Sequence, residues 1–408
     1  MEASGARPKS AVKQRSKATM MFSLLLIAAL VGTASGIAGN LPVRAQEKIL
    51  SPATPPYEGV IEIWLSEAFF PGKGSYLCWL TNSAAIFEKA NKGVFISISL
   101  VAPDVAAQAI ADGANLPDAI ICSGGILNGP DILTPVKNSA RILPAFTGAV
   151  SSLGISYGIP ISAGAYTILY NKERLNAAGI TGSVTETSLE SLFKPATSRP
   201  RSAVSYALSG AQTDYISYSS ALLTMLDLKQ ATGALPPNIF AVESKKAWAD
   251  FVLDGRSAGY VCTQKEVFRI RQLEAGGSAF PWTVHQEPCA YTDQLLAIYI
   301  FNSEKSDANE RQAALLGFAD ILLSETRQAA LADIGAFSVL AGFDFIYPEG
   351  SVMHQMEKGL KSEELTVPSM LDWRETRSQI MAVENAEIDA AARINQLSGL
   401  LEMLGHLE

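Results

Sequence analysis

The chain has 408 residues, of which 48% are hydrophobic and 18% are charged, and it carries a formal net charge of -8. That length exceeds one average domain, so we expect two folded bodies with appended segments. Because no basic stripe is available to neutralise phosphates, the composition excludes nucleic acid as a partner.

The N-terminus joins a basic cluster within residues 7–17 to an uncharged run over residues 20–41. This order is typical of an export signal, and Val43-Arg44-Ala45 offers a small-residue cleavage site. The run also has the roughly 20 residues that a bilayer-spanning anchor needs. We therefore predict that residues 1–45 are a signal peptide or membrane anchor whose basic end stays cytoplasmic, and that the proline-rich residues 46–58 are a linker.

The first folded segment alternates strands with helices. Strands are predicted over residues 59–65, 94–100 and 116–122, and helices over residues 75–90 and 103–112. This alternation indicates a parallel sheet with crossover helices. Ligands of such sheets sit beyond the carboxyl ends of the strands, which directs attention to Glu67 and Phe69 and to Ser123 and Gly124.

Residues 157–180 read YGIPISAGAYTILYNKERLNAAGI and predict two strands in tandem. Pro160 is excluded from a helix, and Gly164 tolerates backbone angles that other residues do not. The joint at Ala163-Gly164 is thus a place where the chain can change direction between two bodies. Asn171 is a good N-cap for a following helix.

The rest of the chain predicts a second set of elements. Helices are predicted over residues 215–228, 244–253, 309–323, 325–334, 353–361 and 373–404, and strands over residues 258–263 and 294–301. Trp282 follows Gly276-Gly277 and a proline, and we predict that it lies in a loop.

One short motif suggests an enzyme. The segment from Gly154 to Gly158 matches the G-x-S-x-G pattern of hydrolase nucleophiles, with His285 and His354 downstream. Such a serine needs a helix directly after it, which Pro160 forbids, so the match favours coincidence at Ser156. We predict no catalytic set, and no metal site because no histidine stands at metal-ligand spacing.

Several segments resemble the extracellular solute-binding proteins of ABC importers, in particular the sugar-binding group that includes maltodextrin-binding proteins. The segments are FEKANKGV (87–94), LPDAI (116–120), YGIPISAGAYTILYNKERL (157–175), YVCTQKEVFRIR (260–271), RQAALADIGAFSV (327–339) and AEIDAAARIN (386–395). Together they span most of residues 57–400. The departures fall in the ligand loops and where members usually read "TW.E", here Thr187-Ser188-Leu189-Glu190.

The resemblance implies a periplasmic-binding-protein-like α/β fold of two lobes, with the ligand cleft between them and three crossover segments near residues 163, 291 and 338. It assigns residues 59–162 and 292–338 to the N-terminal lobe, and residues 163–291 and 339–408 to the C-terminal lobe. Among the four cysteines, Cys78, Cys122, Cys262 and Cys289, buried free thiols are one expectation. An oxidising compartment also permits a bridge, for which the family topology favours Cys262 with Cys289.

The resemblance also implies a function. It predicts an exported, monomeric protein without a cofactor that captures a small polar ligand, a sugar or oligosaccharide, and delivers it to ABC transporter permease subunits. A membrane-tethered ligand-sensing domain and a secreted serine hydrolase remain alternatives. Candidate ligand-binding residues, drawn from strand-end loops and the crossings, are the aromatic residues Phe69, Tyr215, Trp282 and Tyr291, the polar residues Glu67, Ser123, Asp214, Gln264 and Asp293, and the glycines Gly124 and Gly164.

Overall fold

The structure is a computed structural model, and it describes residues 57–113, 115–139, 141–177, 180, 206–210, 217–225, 244–388 and 390–405. The strands are β1 (Gly59–Ser66), β2 (Val94–Leu100), β3 (Ala119–Cys122), β4 (Ser151–Ser152), β5 (Ile155–Ser156), β6 (Gly158–Ala163), β7 (Tyr166–Asn171), β8 (Tyr206–Gly210), β9 (Ser257–Thr263), β10 (Trp282–Val284) and β11 (Leu295–Ile300). The helices are α1 (Tyr76–Ala90), α2 (Pro103–Asp112), α3 (Pro144–Ala149), α4 (Lys172–Ala177), α5 (Tyr218–Met225), α6 (Ser244–Val252), α7 (Gln264–Ala275), α8 (Ala308–Leu322), α9 (Glu325–Ala329), α10 (Leu331–Ile334), α11 (Val352–Leu360), α12 (Trp373–Asn385) and α13 (Ala390–Gly405).

The first sheet has the strand order β2-β1-β3-β11-β6. Its strand β1 runs parallel to β2 and β3, whereas β11 is antiparallel to β3 and β6. Ile61, Ile63 and Leu65 alternate along β1 and are fully buried, which is the period of two expected when every second side chain faces the core. Helix α1 packs against β2 and α8 beside this sheet.

The second sheet has the order β10-β7-β9-β8. Here β7 is antiparallel to β9 and β10, and β8 is parallel to β9. Every residue of β7 and β9 is buried, because helices α5, α6 and α7 contact this sheet. The two sheets with their helices confirm the predicted two-lobe α/β fold.

The chain passes between the sheets where the sequence predicted crossings. Strand β6 of the first sheet leads through Gly164 and Ala165 into β7 of the second, and the chain returns from β10 to β11. Isolated bridges pair Ala163 with Phe337 and Tyr291 with Thr366 beside these passages. The residue-level lobe boundaries stay predictions.

Several predicted elements differ in the structure. Strand β3 begins at Ala119 rather than residue 116. The predicted helix over residues 325–334 is divided into α9 and α10, and that over residues 373–404 into α12 and α13. Trp282 lies in edge strand β10 rather than in a loop. By contrast, the predicted cap of α4 is confirmed, since Asn171 Oδ1 accepts hydrogen bonds from the backbone N–H groups of Glu173 and Arg174.

All four cysteines are free thiols, so the alternative bridge between Cys262 and Cys289 is not formed. Three of the thiols are buried as expected, whereas Cys78 is exposed. Cys262 lies in the middle of the second sheet opposite Thr167 on β7. The thiol of Cys289 instead points to backbone carbonyls, with Sγ 3.6 Å from the Tyr291 oxygen. The predicted signal or anchor segment and residues 46–56 of the linker lie outside the described residues. None of the helices that the structure describes has the length and apolar character needed to cross a membrane.

Candidate functional site

Two parallel strands of the first sheet end side by side. Ser66 closes β1 directly opposite Cys122, the last residue of β3. The chain therefore leaves both strands at the same edge of the sheet, and Glu67 and Ser123 follow there. This is the position at which α/β sheets bind ligands.

Polar oxygens at this edge lack protein partners. Ser66 and Ser123 are 0% and 4% exposed, and neither Ser66 Oγ, Ser123 Oγ nor Glu67 Oε1 has a hydrogen-bonding partner among the described residues. Buried polar groups in folded proteins are nearly always paired, because an unpaired one costs on the order of 1–3 kcal/mol. We call Ser66, Glu67 and Ser123 the strand-end group. Its oxygens are suited to a ligand that brings hydroxyl or amine donors.

Glu67 is held near the amino end of α1. Burial raises the pKa of Glu67, and a hydrogen bond from the backbone N–H of Tyr76 opposes that rise. Because helix amino ends favour negative charge, this placement helps to keep the carboxylate ionised. An ionised carboxylate is the stronger acceptor for a donor on a ligand.

Phe69 does not belong to this surface. It is 4% exposed, and its ring packs edge to face on Tyr76 with the centroids 5.9 Å apart. The following residue, Phe70, is the exposed one, and the ammonium of Lys265 lies 4.2 Å from its ring centroid. The interpretation of Phe69 as a ligand platform is therefore not supported, since its ring is used in the core.

Gly164 and Gln264 do meet at the first crossing. The Gly164 N–H donates to the Gln294 carbonyl at 2.7 Å, and Gln264 Oε1 accepts from the Ala165 N–H at 3.0 Å. Gln264 Nε2 donates to the Phe70 carbonyl at 2.9 Å, which ties α7 to the loop after β1. A Cβ on Gly164 would lie 2.5 Å from Gln294 Oε1, so only glycine allows this close packing.

Asp293 lies at the second crossing with its oxygens fully engaged. Its carboxylate accepts hydrogen bonds from Tyr166 Oη at 2.6 Å, the Ser217 N–H at 2.6 Å and Tyr291 Oη at 3.3 Å. Burial raises the pKa of Asp293 to about 6, although these hydrogen bonds oppose the rise. We call Gly164, Tyr166, Gln264, Tyr291 and Asp293 the crossover network.

The crossover network changes the role of two predicted ligand residues. Asp293 and Tyr291 are 1% and 0% exposed. Their polar atoms bind each other and the crossing segments rather than an open surface. We interpret both as residues that hold the crossings in place, in contrast to the sugar contacts that the sequence suggested.

Trp282 lies at the wrong end of the second sheet for a ligand platform. It pairs with Asn171, the last residue of β7, whereas Tyr166 at the start of β7 adjoins the crossing. Five residues of extended chain separate these two ends by roughly 17 Å. Trp282 Nε1 also has no hydrogen-bonding partner among the described residues, and its predicted stacking role stays a prediction. Asp214 and Tyr215 lie outside the described residues, and their predicted roles stay predictions.

One residue that the sequence did not single out stands beside the strand-end group. Trp373, the first residue of α12, is fully buried, and a Cβ on Gly124 would lie 2.8 Å from its Cδ1 atom. Gly124 thus contacts the indole directly at the end of β3. No local signal marks this contact, because it joins distant parts of the chain.

The hydrolase motif has no matching geometry. Ser156 ends β5, the next element is strand β6, and Ser156 Oγ lies 2.7 Å from Ser151 Oγ. His285 Nδ1 pairs with Tyr170 Oη at 3.2 Å and His354 Nδ1 with the Tyr347 carbonyl at 3.1 Å. The described residues contain no group of three His, Cys, Asp or Glu side chains placed to hold a metal ion.

A small cavity lies elsewhere on the first lobe. It has a volume of about 180 Å³, and its lining includes Thr134, Phe301, Asn302 and Gln312. These residues surround the carboxyl end of β11, which is antiparallel to β3, so the cavity sits at the sheet edge opposite the strand-end group. It is also smaller than usual ligand pockets, which hold roughly 300–1,000 Å³.

Solved structures share this fold. The sugar-binding protein MalE from Xanthomonas citri matches with a TM-score of 0.57 and 14% identity over 86% of this chain and 97% of that chain. Maltose-bound MalE3 of T. maritima matches with a TM-score of 0.55 and 14% identity over 85% of this chain and 100% of that chain. An ABC substrate-binding protein from Listeria monocytogenes in complex with cycloalternan matches with a TM-score of 0.54 and 15% identity over 86% of this chain and 100% of that chain. The sequence itself matches no protein-family model and no curated protein.

Proposed function

We propose that the protein is an exported solute-binding protein that captures a sugar or oligosaccharide and delivers it to the permease of an ABC transporter. The observation that carries this proposal is the strand-end group. Three buried oxygens without protein partners meet at the ligand-binding edge of a two-lobe fold, next to the passages that join the lobes. Binding of a hydroxylated ligand there would satisfy groups that folding alone leaves unpaired.

The chemistry of this edge supports a sugar over an anion. Glu67 contributes a carboxylate, and burial together with a backbone N–H, rather than any charged side chain, dominates its pKa. An anionic ligand would be repelled by that carboxylate, whereas sugar hydroxyls donate to it. The structures that share the fold include proteins bound to maltose and to cycloalternan, which agrees with this ligand class.

A ligand screen followed by titration calorimetry tests the proposal. The panel contains sugars, polyols, amino acids and inorganic anions, and we expect a sugar to raise the melting temperature. A ligand at one hundred times its dissociation constant stabilises the fold by about 2.7 kcal/mol. A panel in which only amino acids or anions bind would contradict the sugar assignment.

Matched glutamate variants then locate the site. We expect Glu67→Gln to lower affinity for the identified sugar at least tenfold, because an amide oxygen is a weaker acceptor than a carboxylate. Glu62→Gln is the control, since Glu62 lies on β1, which Glu67 directly follows, and its side chain is exposed. Equal affinity in both variants would move the ligand away from the strand-end group.

Transport and sensing require a separate test in the native host. Deletion of the gene should abolish uptake of the labelled sugar if the protein serves a permease. Unchanged uptake, together with a lost transcriptional response to the sugar, would favour the tethered sensing domain. Intact-mass measurement of the exported protein decides between a cleaved signal and a retained anchor.

A further inference from the structure

A contact surface joins the loop after β1 to helix α7, and these two elements belong to different lobes. The loop, residues 67–73, continues from β1 of the first sheet, whereas α7 packs on β7 and β9 of the second. Gln264 Nε2, at the start of α7, donates to the Phe70 carbonyl at 2.9 Å. Four side chains extend this contact along the loop and the helix, and we call them the latch: Phe70, Lys73, Lys265 and Phe268.

The latch contains two lysine–phenylalanine pairs that run in opposite directions. The Lys265 ammonium on α7 lies 4.2 Å from the ring centroid of Phe70 on the loop. The Lys73 ammonium on the loop lies 5.6 Å from the ring centroid of Phe268 on α7. Each lobe thus supplies one cation and one aromatic face, and the attraction between a cation and a ring reaches to about 6 Å. Separation of the lobes would break both pairs.

Two glycines of the first lobe make room for Phe268. A Cβ on Gly72 would overlap the Phe268 ring, and one on Gly335 would lie 2.6 Å from its Cε2 atom. The Gly72 N–H donates to the Gly335 carbonyl at 3.0 Å, so the two glycines form one notch. Because neither carries a side chain, a ring from the second lobe can rest directly on their backbone.

The latch adjoins the strand-end group. Glu67 begins the same loop, three residues before Phe70. The oxygens of Ser66, Glu67 and Ser123 that lack partners among the described residues are closed to solvent. A ligand therefore needs this edge to open before it can reach them, and the latch is a contact between the lobes that keeps the edge closed.

We propose that the latch holds the two lobes closed in the free protein and must part before a ligand can enter. All its contacts come from the chain itself, so closure does not require a ligand that touches both lobes. The equilibrium between open and closed lobes then favours the closed side, and a ligand enters through the minor open population. Closure of this kind is a property of the free protein, whatever solute it binds.

Single-molecule fluorescence energy transfer between two dyes measures the separation of the lobes in the full chain without ligand. Cys78 on α1 is exposed and takes the first dye, whereas the other three cysteines are buried and react slowly. Leu253→Cys supplies the second position, at a residue that is 77% exposed. Leu253 precedes β9, whose opposite end, Thr263, pairs with Tyr166 at the crossing, so opening should move this label. We expect one short-distance population in the wild type.

Removal of the latch rings should open the protein. Phe70→Leu combined with Phe268→Ala removes both aromatic partners, and we expect the ratio of open to closed molecules to rise at least tenfold. A milder variant, Lys73→Gln with Lys265→Gln, removes only the two cations. Both lysines are exposed, so the fold should be kept, and the same ratio should rise at least threefold.

The matched control removes two phenylalanines that pack within one lobe. Phe345 is 43% exposed, close to the 49% of Phe70, and the Lys361 ammonium lies 4.3 Å from its ring centroid. Phe280 is half-buried, and its ring centroid lies 5.2 Å from that of Phe251. Phe345→Leu combined with Phe280→Ala should keep the wild-type distance.

Three results would overturn the latch: a wild type that is mainly open, folded latch variants that keep the wild-type distance, or a control that opens equally. Circular dichroism shows which variants are folded, and the lysine variant decides if the ring variant is not. Failure of every sugar in the ligand screen would end the proposed function and leave the latch intact. Sugar binding by a protein whose lobes ignore the latch variants would do the reverse.

Discussion

Asp293 is a fully buried carboxylate and Glu67 a half-buried one, and burial raises the pKa of both, yet their surroundings differ. Asp293 accepts hydrogen bonds from Tyr166, Ser217 and Tyr291, and it is 1% exposed. Glu67 has one oxygen without a protein partner and adjoins two serines in the same condition. A satisfied polar network fixes backbone geometry, whereas an unsatisfied polar group needs a partner from outside the chain or another explanation, and for Glu67 we propose a ligand. The crossover network should therefore control stability, and the strand-end group should control affinity.

The largest expected effect is on the crossover network. Asp293→Ala leaves the donors of Tyr166, Ser217 and Tyr291 without their buried acceptor. We expect the free energy of unfolding in urea to fall by roughly 3–5 kcal/mol at pH 7. Asp131→Ala, at an exposed carboxylate, should change it by less than about 0.5 kcal/mol. Equal, small losses in both variants would mean that the crossover network does not stabilise the fold.

The second expected effect is on the pH dependence of stability, to which Asp293 contributes with the opposite sign to most carboxylates. Because burial raises the pKa of Asp293 from 3.8 to about 6, the folded state holds this proton more tightly than the unfolded chain. The contribution of Asp293 to stability is therefore greatest below pH 4 and declines as the pH rises through about 6. The difference between the two pKa values corresponds to a change in the free energy of unfolding on the order of 3 kcal/mol.

Comparison with Asp293→Asn isolates this titration from the other carboxyl groups. Glu67 and Asp320 also have raised pKa values, so their contributions must be subtracted. We expect the stability of the wild type minus that of Asp293→Asn to fall between pH 4 and 6.5 in urea titrations. A difference that stays constant across this range would show that Asp293 titrates as an ordinary carboxyl group.

The sequence predicted the positions of strands and helices better than the contacts of the two carboxylates. Strand β2 and helix α2 have the predicted bounds, because Gly93 and Pro103 mark their starts locally. The strand-end rule correctly placed Glu67 and Ser123 at one edge of the sheet, since it needs only the order of strands and helices, and their ligand-binding role stays a prediction. The sequence could not show that Asp293 accepts hydrogen bonds from Tyr166 and Ser217, because those contacts join distant parts of the chain.

One wrong prediction and one missed contact have the same origin. Trp282 was assigned to a loop from its glycine-rich approach, yet pairing with β7, a tertiary contact, makes it part of an edge strand. The helical prediction for Trp373 is confirmed, but only the fold shows that its ring contacts Gly124. Local residue patterns indicate where elements lie, but side chains that meet across lobes are determined by packing.

A third prediction sharpens the role of glycine in the crossover network. Gly164→Ala places a methyl group 2.5 Å from Gln294 Oε1 and 2.9 Å from Gln264 Nε2. Overpacking of this kind costs about 1–3 kcal/mol, and we expect that loss in urea unfolding. Gly148→Ala is the control, because a Cβ there meets nothing within 4 Å and the residue lies in helix α3. If Gly164→Ala is as stable as the control, the first crossing can accommodate a methyl group without overpacking.

The smallest effect on folding should come from the strand-end group, and it is the most direct test of the comparison. Ser66→Ala and Ser123→Ala each remove a buried hydroxyl that has no protein partner among the described residues. Loss of an unpaired polar group is neutral or stabilising, so the free energy of unfolding without ligand should stay the same or rise by up to about 1 kcal/mol.

Ser83→Ala supplies the contrast for these two variants. Ser83 is equally buried, but its Oγ donates to the Trp79 carbonyl at 2.7 Å and accepts from Arg327 Nε at 2.9 Å. Its removal takes the acceptor away from Arg327 Nε, while the Trp79 carbonyl still accepts from Arg327 Nη2, and should cost about 1–3 kcal/mol. In titrations with the sugar found by screening, the order should reverse, with affinity lost in Ser66→Ala and Ser123→Ala and kept in Ser83→Ala. If the strand-end serines instead destabilise the free protein as Ser83→Ala does, their hydroxyls serve the fold, and the ligand must contact other residues.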